Sequence, residues 1–153
     1  MESLRSSGDY KDLLSLLNAE QARYLIIGGF ALAHHGRPRY TKDLDIWIDA
    51  NGDNPTRVYR ALARFGAPLE SVSEDDLKDP ETILQIGVEP VRVDLLSDIP
   101  GVRFDECWQR KEAGYYGEVP VFVISRDDYI INKRSSGRRR DLRDVADLLE
   151  DEE

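Results

Sequence analysis

Two aspartates one residue apart, Asp43 and Asp45, open the otherwise apolar run Leu44-Asp45-Ile46-Trp47-Ile48, shortly after the glycine pair Gly28-Gly29. Successive side chains of a strand point to opposite faces, so the two carboxylates share a face about 7 Å apart while Leu44, Ile46 and Ile48 face a core. Carboxylates placed this way can converge on a cation, although a solvated strand edge would carry the same residues. A second apolar segment, Val91-Arg92-Val93-Asp94-Leu95-Leu96, contains one acid. If it pairs beside the first strand, Asp94 completes a three-carboxylate cluster, an oxygen donor set that suits Mg²⁺, with Mn²⁺ as the alternative ion. Otherwise Asp94 is a strand-end acid facing water. Gly28 and Gly29 form a tight turn, and a turn leading into a helix also aims backbone N–H groups at a phosphate; the two readings do not exclude each other.

The elements that must hold these residues follow from periodicity. Tyr10, Leu13, Leu14 and Leu17 keep helical spacing behind a capping Asp9, which predicts an amphipathic helix over 9–19. Residues 23–27 read as a short apolar strand, and 30–35 as a short helix that Gly36 ends and Pro38 prevents from continuing. Asn54-Pro55 supplies a cap and a first-turn proline for a helix carrying Val58, Leu62 and Phe65 and closed by Gly66. The polar stretch 67–80 is a loop around at most one helical turn. Residues 82–88 and 91–96 form a hairpin about Glu89-Pro90. A short helix near 104–111, strands at 115–118 and 121–124, a helix from Ser125 to about 133, and a final helix led by Asp141 complete the chain.

Some conspicuous residues have plainer readings. Trp47 shares strand parity with the two acids but is assigned to the core. His34 and His35 lie just before Gly36 as helix-end residues, and Asp141 and Asp144 are read as a capping pair. Arg39 and Thr41 precede the acids and are placed either to contact phosphate or only to lead into the strand.

With 153 residues, 41% of them hydrophobic and 33% charged, the chain is expected to form a single folded domain over 1–153. Cys107 is the only cysteine, which excludes an intrachain disulfide, and no Cys/His spacing for structural zinc is present. No segment approaches the roughly 20 apolar residues that cross a bilayer, so no membrane partner and a reducing, cytoplasmic setting are expected. A net charge of −9 opposes broad nucleic-acid binding, yet Lys133, Arg134, Arg138, Arg139, Arg140 and Arg143 face only Asp141 across residues 133–143.

A glycine pair, a short helix, an Asp-x-Asp strand and a later strand acid together resemble the nucleotidyltransferase superfamily. The runs Gly28-Gly29 through His35-Gly36, Arg37-Pro38-Arg39-Tyr40-Thr41-Lys42-Asp43-Leu44-Asp45, and Lys133 through Arg140-Asp141-Leu142-Arg143-Asp144 look like the AbiEii-type toxins and related small enzymes. The resemblance covers nearly the whole chain. It implies an α+β (mixed α/β) fold, a mixed β-sheet flanked by α-helices with further helices at the C-terminal end. It also implies Mg²⁺-dependent transfer of a nucleoside monophosphate from an NTP to an acceptor hydroxyl, with Asp43, Asp45 and Asp94 as metal ligands and catalytic acids. Asp94 would help deprotonate the acceptor. Gly28, Gly29, Arg39, Thr41, Lys133, Arg138 and Arg140 would bind the nucleotide, Lys133 matching a lysine that meets the triphosphate in related proteins. The acceptor on this reading is tRNA, with an antitoxin or other protein as partner; a small molecule or protein acceptor, or a nucleotide-binding module without turnover, is the alternative.

Overall fold

The structure is a computed structural model that describes residues 5–36, 43–88 and 91–150. In chain order the elements are α1 (Arg5–Ala19), β1 (Tyr24–Ile27), α2 (Gly28–His34), β2 (Asp43–Ile48), α3 (Asn54–Phe65), β3 (Ile83–Val88), β4 (Val91–Leu96), α4 (Phe104–Gln109), β5 (Glu112–Tyr116), β6 (Val119–Val123), α5 (Arg126–Ser136) and α6 (Arg139–Glu150), with a 3₁₀ turn at Glu74–Lys78. The strands form one mixed sheet in the order β3-β4-β2-β1-β6-β5. β2 runs antiparallel to β1 and parallel to β4, β1 pairs parallel with β6, and β3–β4 and β5–β6 are antiparallel pairs. This is the helix-flanked mixed sheet expected from the sequence.

Burial explains why these segments hold together. All four residues of β1 are buried, as befits a strand in the middle of a sheet covered on both faces. Leu13, Leu14 and Leu17 of α1 are fully buried, and α1 packs against α3 and β6. Trp47 is core, as expected: its ring meets Phe104 of α4 edge to face, and Phe104 stacks on Trp108. The face of β2 that carries the acids is therefore closed at the Trp47 end by α4. Among the described residues no helix is long and apolar enough to cross a membrane.

Several boundaries differ from the sequence reading, each for a local reason. α1 starts at Arg5, so Asp9 lies inside the helix; the polar residues ahead of it carry no apolar period to reveal this. Gly28 and Gly29 do not form a separate turn but open α2 directly, Gly28 making the bend with φ +69°. β5 begins at Glu112, three residues early, because the hairpin turns at Gly117. The Glu89-Pro90 turn, Arg39 and Thr41 lie outside the described residues.

Asn54 was expected to cap α3, whereas Asp53 holds that position and Asn54 is fully buried. Its Oδ1 accepts from the Arg23 backbone N–H at 2.6 Å, and its Nδ2 donates to the carbonyls of Arg23 at 3.0 Å and Asp49 at 2.7 Å. It thus ties the chain before β1 to the chain after β2. Asn54→Ala would leave these buried backbone groups unpaired and is expected to cost about 3 kcal/mol in urea denaturation. A loss below about 1 kcal/mol would show that the tie is not structural.

Candidate functional site

The parallel pairing of β2 with β4 brings the acids together. Its register sets Asp45 opposite Asp94 and Asp43 opposite Arg92. Since residues two apart on a strand share a face, all four side chains emerge on the same side of the sheet. There they line a cleft of about 790 Å³, within the size range of small-molecule sites, together with Gly28, Gly29, Lys133, Arg138 and Arg140. Eight of the ten residues expected from the sequence at this site thus meet in one cleft, the other two being Arg39 and Thr41.

Burial and neighbouring acids raise the free energy of the charged forms of Asp45 and Asp94. Burial, then repulsion by Asp94, pushes the Asp45 carboxyl up to about 6, with Asp43 adding to the effect and Lys133 and Arg92 opposing it. Asp94 is also raised, again chiefly by burial, while Arg92 pulls the other way. A carboxyl with such a shift in a cleft is a candidate functional group.

Arg92 was not anticipated as a site residue. Its Nε donates to Asp94 Oδ1 at 3.1 Å and its Nη2 to Asp43 Oδ2 at 3.2 Å, so one guanidinium spans two of the acids. The signal was present, because Arg92 has the same strand parity as Asp94, but its value depends on knowing that β2 lies alongside.

Gly28 shapes the other wall. A Cβ at this position would collide with the Asp45 carboxylate, and its backbone is left-handed, so a side chain is excluded twice. The opening of α2 therefore lies directly against Asp45.

The third wall is the joint between α5 and α6. Asp141 is not the helix cap expected but the third residue of α6, buried, and it organises the joint. The Ser136 hydroxyl donates to its Oδ2 at 2.6 Å, Lys133 Nζ stands 3.8 Å from its Oδ1, and Arg138 Nε stands 3.7 Å from its Oδ2. Lys133, only 19% exposed, is thereby held pointing into the cleft, over the ring of Tyr129 at 5.7 Å. Ser136, Asp141, Asn132 and Asp144 also line the cleft and were not expected there. Arg138 and Arg140 are at its exposed rim.

The raised value of Asp45 has a defined consequence for stability. A carboxyl that binds its proton more tightly when folded contributes stability in full below its unfolded value of 3.8, and that contribution is lost as the pH rises through about 6. The stability advantage of Asp45→Asn over wild type is therefore expected to grow between about pH 4 and pH 7, with the Asp45 carboxyl carbon titrating near 6 by NMR. In Asp94→Asn the same resonance should titrate lower. A wild-type midpoint near the ordinary value of about 4 would overturn this account.

Known proteins share this arrangement at the level of fold. The chain superimposes on a candidate nucleotidyltransferase from Thermotoga maritima with a TM-score of 0.61 and 16% identity, covering 98% of this chain and 94% of that one. An antigenic nucleotidyltransferase-like protein from Paracoccidioides brasiliensis gives a TM-score of 0.51 and 17% identity, over 94% of this chain and 74% of that one. No curated protein matches. Residues 6–152, which include every wall of the cleft, match the family model described as nucleotidyl transferase of unknown function (DUF2204), and the chain belongs to that family.

Proposed function

We propose that this protein transfers a nucleoside monophosphate from an NTP to an acceptor hydroxyl, releasing pyrophosphate, with Asp43, Asp45 and Asp94 as its catalytic acids and metal ligands. The observation that carries the reading is the β2–β4 register, which sets three carboxylates on one face opposite the Gly28-Gly29 opening of α2 and beside Lys133. The donor set fits a hard divalent cation: all three side chains offer oxygen, and burial, with repulsion between the acids, raises the pKa of two of them, a cost that a bound cation would offset. Mg²⁺, or Mn²⁺ in its place, would supply Lewis-acid neutralisation of phosphate charge there.

The chain's own groups define the remaining roles. Gly28 and Gly29 at the start of α2 line the cleft, where their backbone N–H groups would serve phosphate oxygens, and Lys133, oriented by Asp141, would supply an ammonium for the triphosphate. Arg138 and Arg140 add charge at the rim, and Arg39 and Thr41, outside the described residues, are kept as nucleotide-binding candidates on the sequence resemblance alone. Asp94 accepts the proton of the acceptor hydroxyl. The oxygen then bonds the α-phosphorus as the bond to the β-phosphate bridging oxygen breaks, and pyrophosphate leaves with that electron pair.

The acceptor we favour is RNA, of tRNA type. In a chain of net charge −9, the cationic run 133–143 brings Lys133, Arg138 and Arg140 to the lining of this cleft, which places phosphate-binding side chains beside the acids where an acceptor end would approach. The AbiEii-like character of the motifs extends this to a toxin held by an antitoxin partner, working in the cytoplasm.

Incubation with each α-labelled NTP, Mg²⁺ and separated RNA, protein and metabolite fractions tests the proposal. Wild type should label RNA and release pyrophosphate, and Asp45→Asn, with its fold intact, should lose at least about 1000-fold, roughly 4 kcal/mol of barrier. Lys133→Ala should raise the KM for NTP about tenfold with a smaller change in kcat. Labelling of protein or metabolite instead would move the acceptor. NTP binding without pyrophosphate release from any fraction would replace the enzyme by a nucleotide-binding module.

A further inference from the structure

The other end of α2 carries a second donor set, chemically unlike the first. His34 is the last residue of α2, His35 its C-cap, and Glu112 the first residue of β5; none of them lines the carboxylate cleft. One ligand atom from each lies within 4.8 Å of the other two. Glu112 Oε1 stands 3.5 Å from His34 Nε2 and 4.0 Å from His35 Nδ1.

The tautomer of His35 points to what belongs between them. Its side chain is 5% exposed, and its Nε2 lies 2.7 Å from the carbonyl oxygen of Ile124. A carbonyl only accepts, so Nε2 bears the proton and, in the neutral ring, the lone pair is on Nδ1. That lone pair stands across from a carboxylate, which also only accepts, and a cation between the two would turn their repulsion into ligation. An imidazole whose far N–H is held by a backbone carbonyl is how metal-bound histidines are commonly oriented.

Gly114, two residues along β5, makes room for the second imidazole. A Cβ there would stand 3.0 Å from His34 Cε1 and 3.2 Å from its Nδ1. The bare backbone lets the His34 ring lie against the strand beside Glu112.

We propose that His34, His35 and Glu112 form a zinc site, completed by water, that fastens the C-terminal end of α2 to edge strand β5. Two imidazole nitrogens and one carboxylate are a donor set for Zn²⁺ rather than Mg²⁺. Tetrahedral zinc with bonds of about 2.1 Å sets its ligand atoms about 3.4 Å apart, so the donors must close by roughly 1 Å. His34 and Glu112, 24% and 43% exposed, are free to make that movement. The helix fastened in this way is the one whose first residue abuts Asp45, so zinc here fixes a wall of the carboxylate cleft without entering it.

Metal-stripped, tag-free protein titrated with Co²⁺ as a spectroscopic probe tests the site without reference to activity. The expected result is a ligand-field band of four-coordinate Co²⁺ at one equivalent, bleached by Zn²⁺ and unaffected by excess Mg²⁺. His34→Ala and Glu112→Gln should each weaken binding at least about tenfold, and Gly114→Ala, which keeps every donor, should weaken it through the His34 ring. Asp45→Asn should leave the band unchanged. His34 is at the surface, and unaltered circular dichroism of its variant would separate loss of the site from loss of fold. No band, binding that survives both His34→Ala and Glu112→Gln, or a band lost in Asp45→Asn would overturn the site, leaving His34 and Glu112 as a surface contact with no metal role.

Discussion

The β2–β4 register is the constraint on which the rest of the molecule depends. Because side chains alternate along a strand, a slip of one residue would send Asp94 to the opposite face and bury it among Leu44 and Ile46. The register is held from both faces: Val93 and Leu95 are buried on the side away from the acids, and Trp47 closes the acid-bearing face through Phe104. Apolar packing thus enforces an arrangement that electrostatics opposes, and two carboxyls with raised pKa values are the trace of that opposition. The cost is limited by placing the acids where they line an open cleft rather than the closed core.

The same logic governs the helices. α2 begins against Asp45 and ends against β5, so a seven-residue helix spans from the centre of the sheet toward its edge. The joint of α5 and α6 approaches from the other side through Asp141, which gathers Lys133, Ser136 and Arg138. The cleft is therefore built from segments far apart in sequence, and only the sheet brings them into contact.

This accounts for what could and could not be read from the chain. Asp43 and Asp45 were legible because a single strand displays them, and the β3–β4 hairpin because its partners are neighbours in sequence. Whether β4 would lie beside β2 was not, since the pairing crosses α3 and a hairpin, and no local pattern specifies it. Arg92 was missed for that reason, and Asp141 because an acid near the start of a helix has a simpler explanation as a cap. Glu112 escaped notice through a boundary: β5 is an edge strand with Tyr115 69% exposed, so the alternation that marks a half-buried strand is weak there. The family match, by contrast, spans residues 6–152, so it takes in the strands and helices whose pairing no local pattern specifies.

Arg92 gives the site a property that a bare acid cluster would lack. A guanidinium tethered two residues from Asp94 is a resident counter-ion at very high local concentration, and no external cation can take its place without displacing it. A free metal ion bound at the proposed site would have to compete with it unaided. A metal that arrives with phosphates brings the guanidinium a replacement partner, since arginine pairs with phosphate oxygens as readily as with carboxylates. If the cleft holds a metal as proposed, the strand that supplies the third acid also carries that metal's competitor, which would favour a metal and a phosphate ligand arriving together.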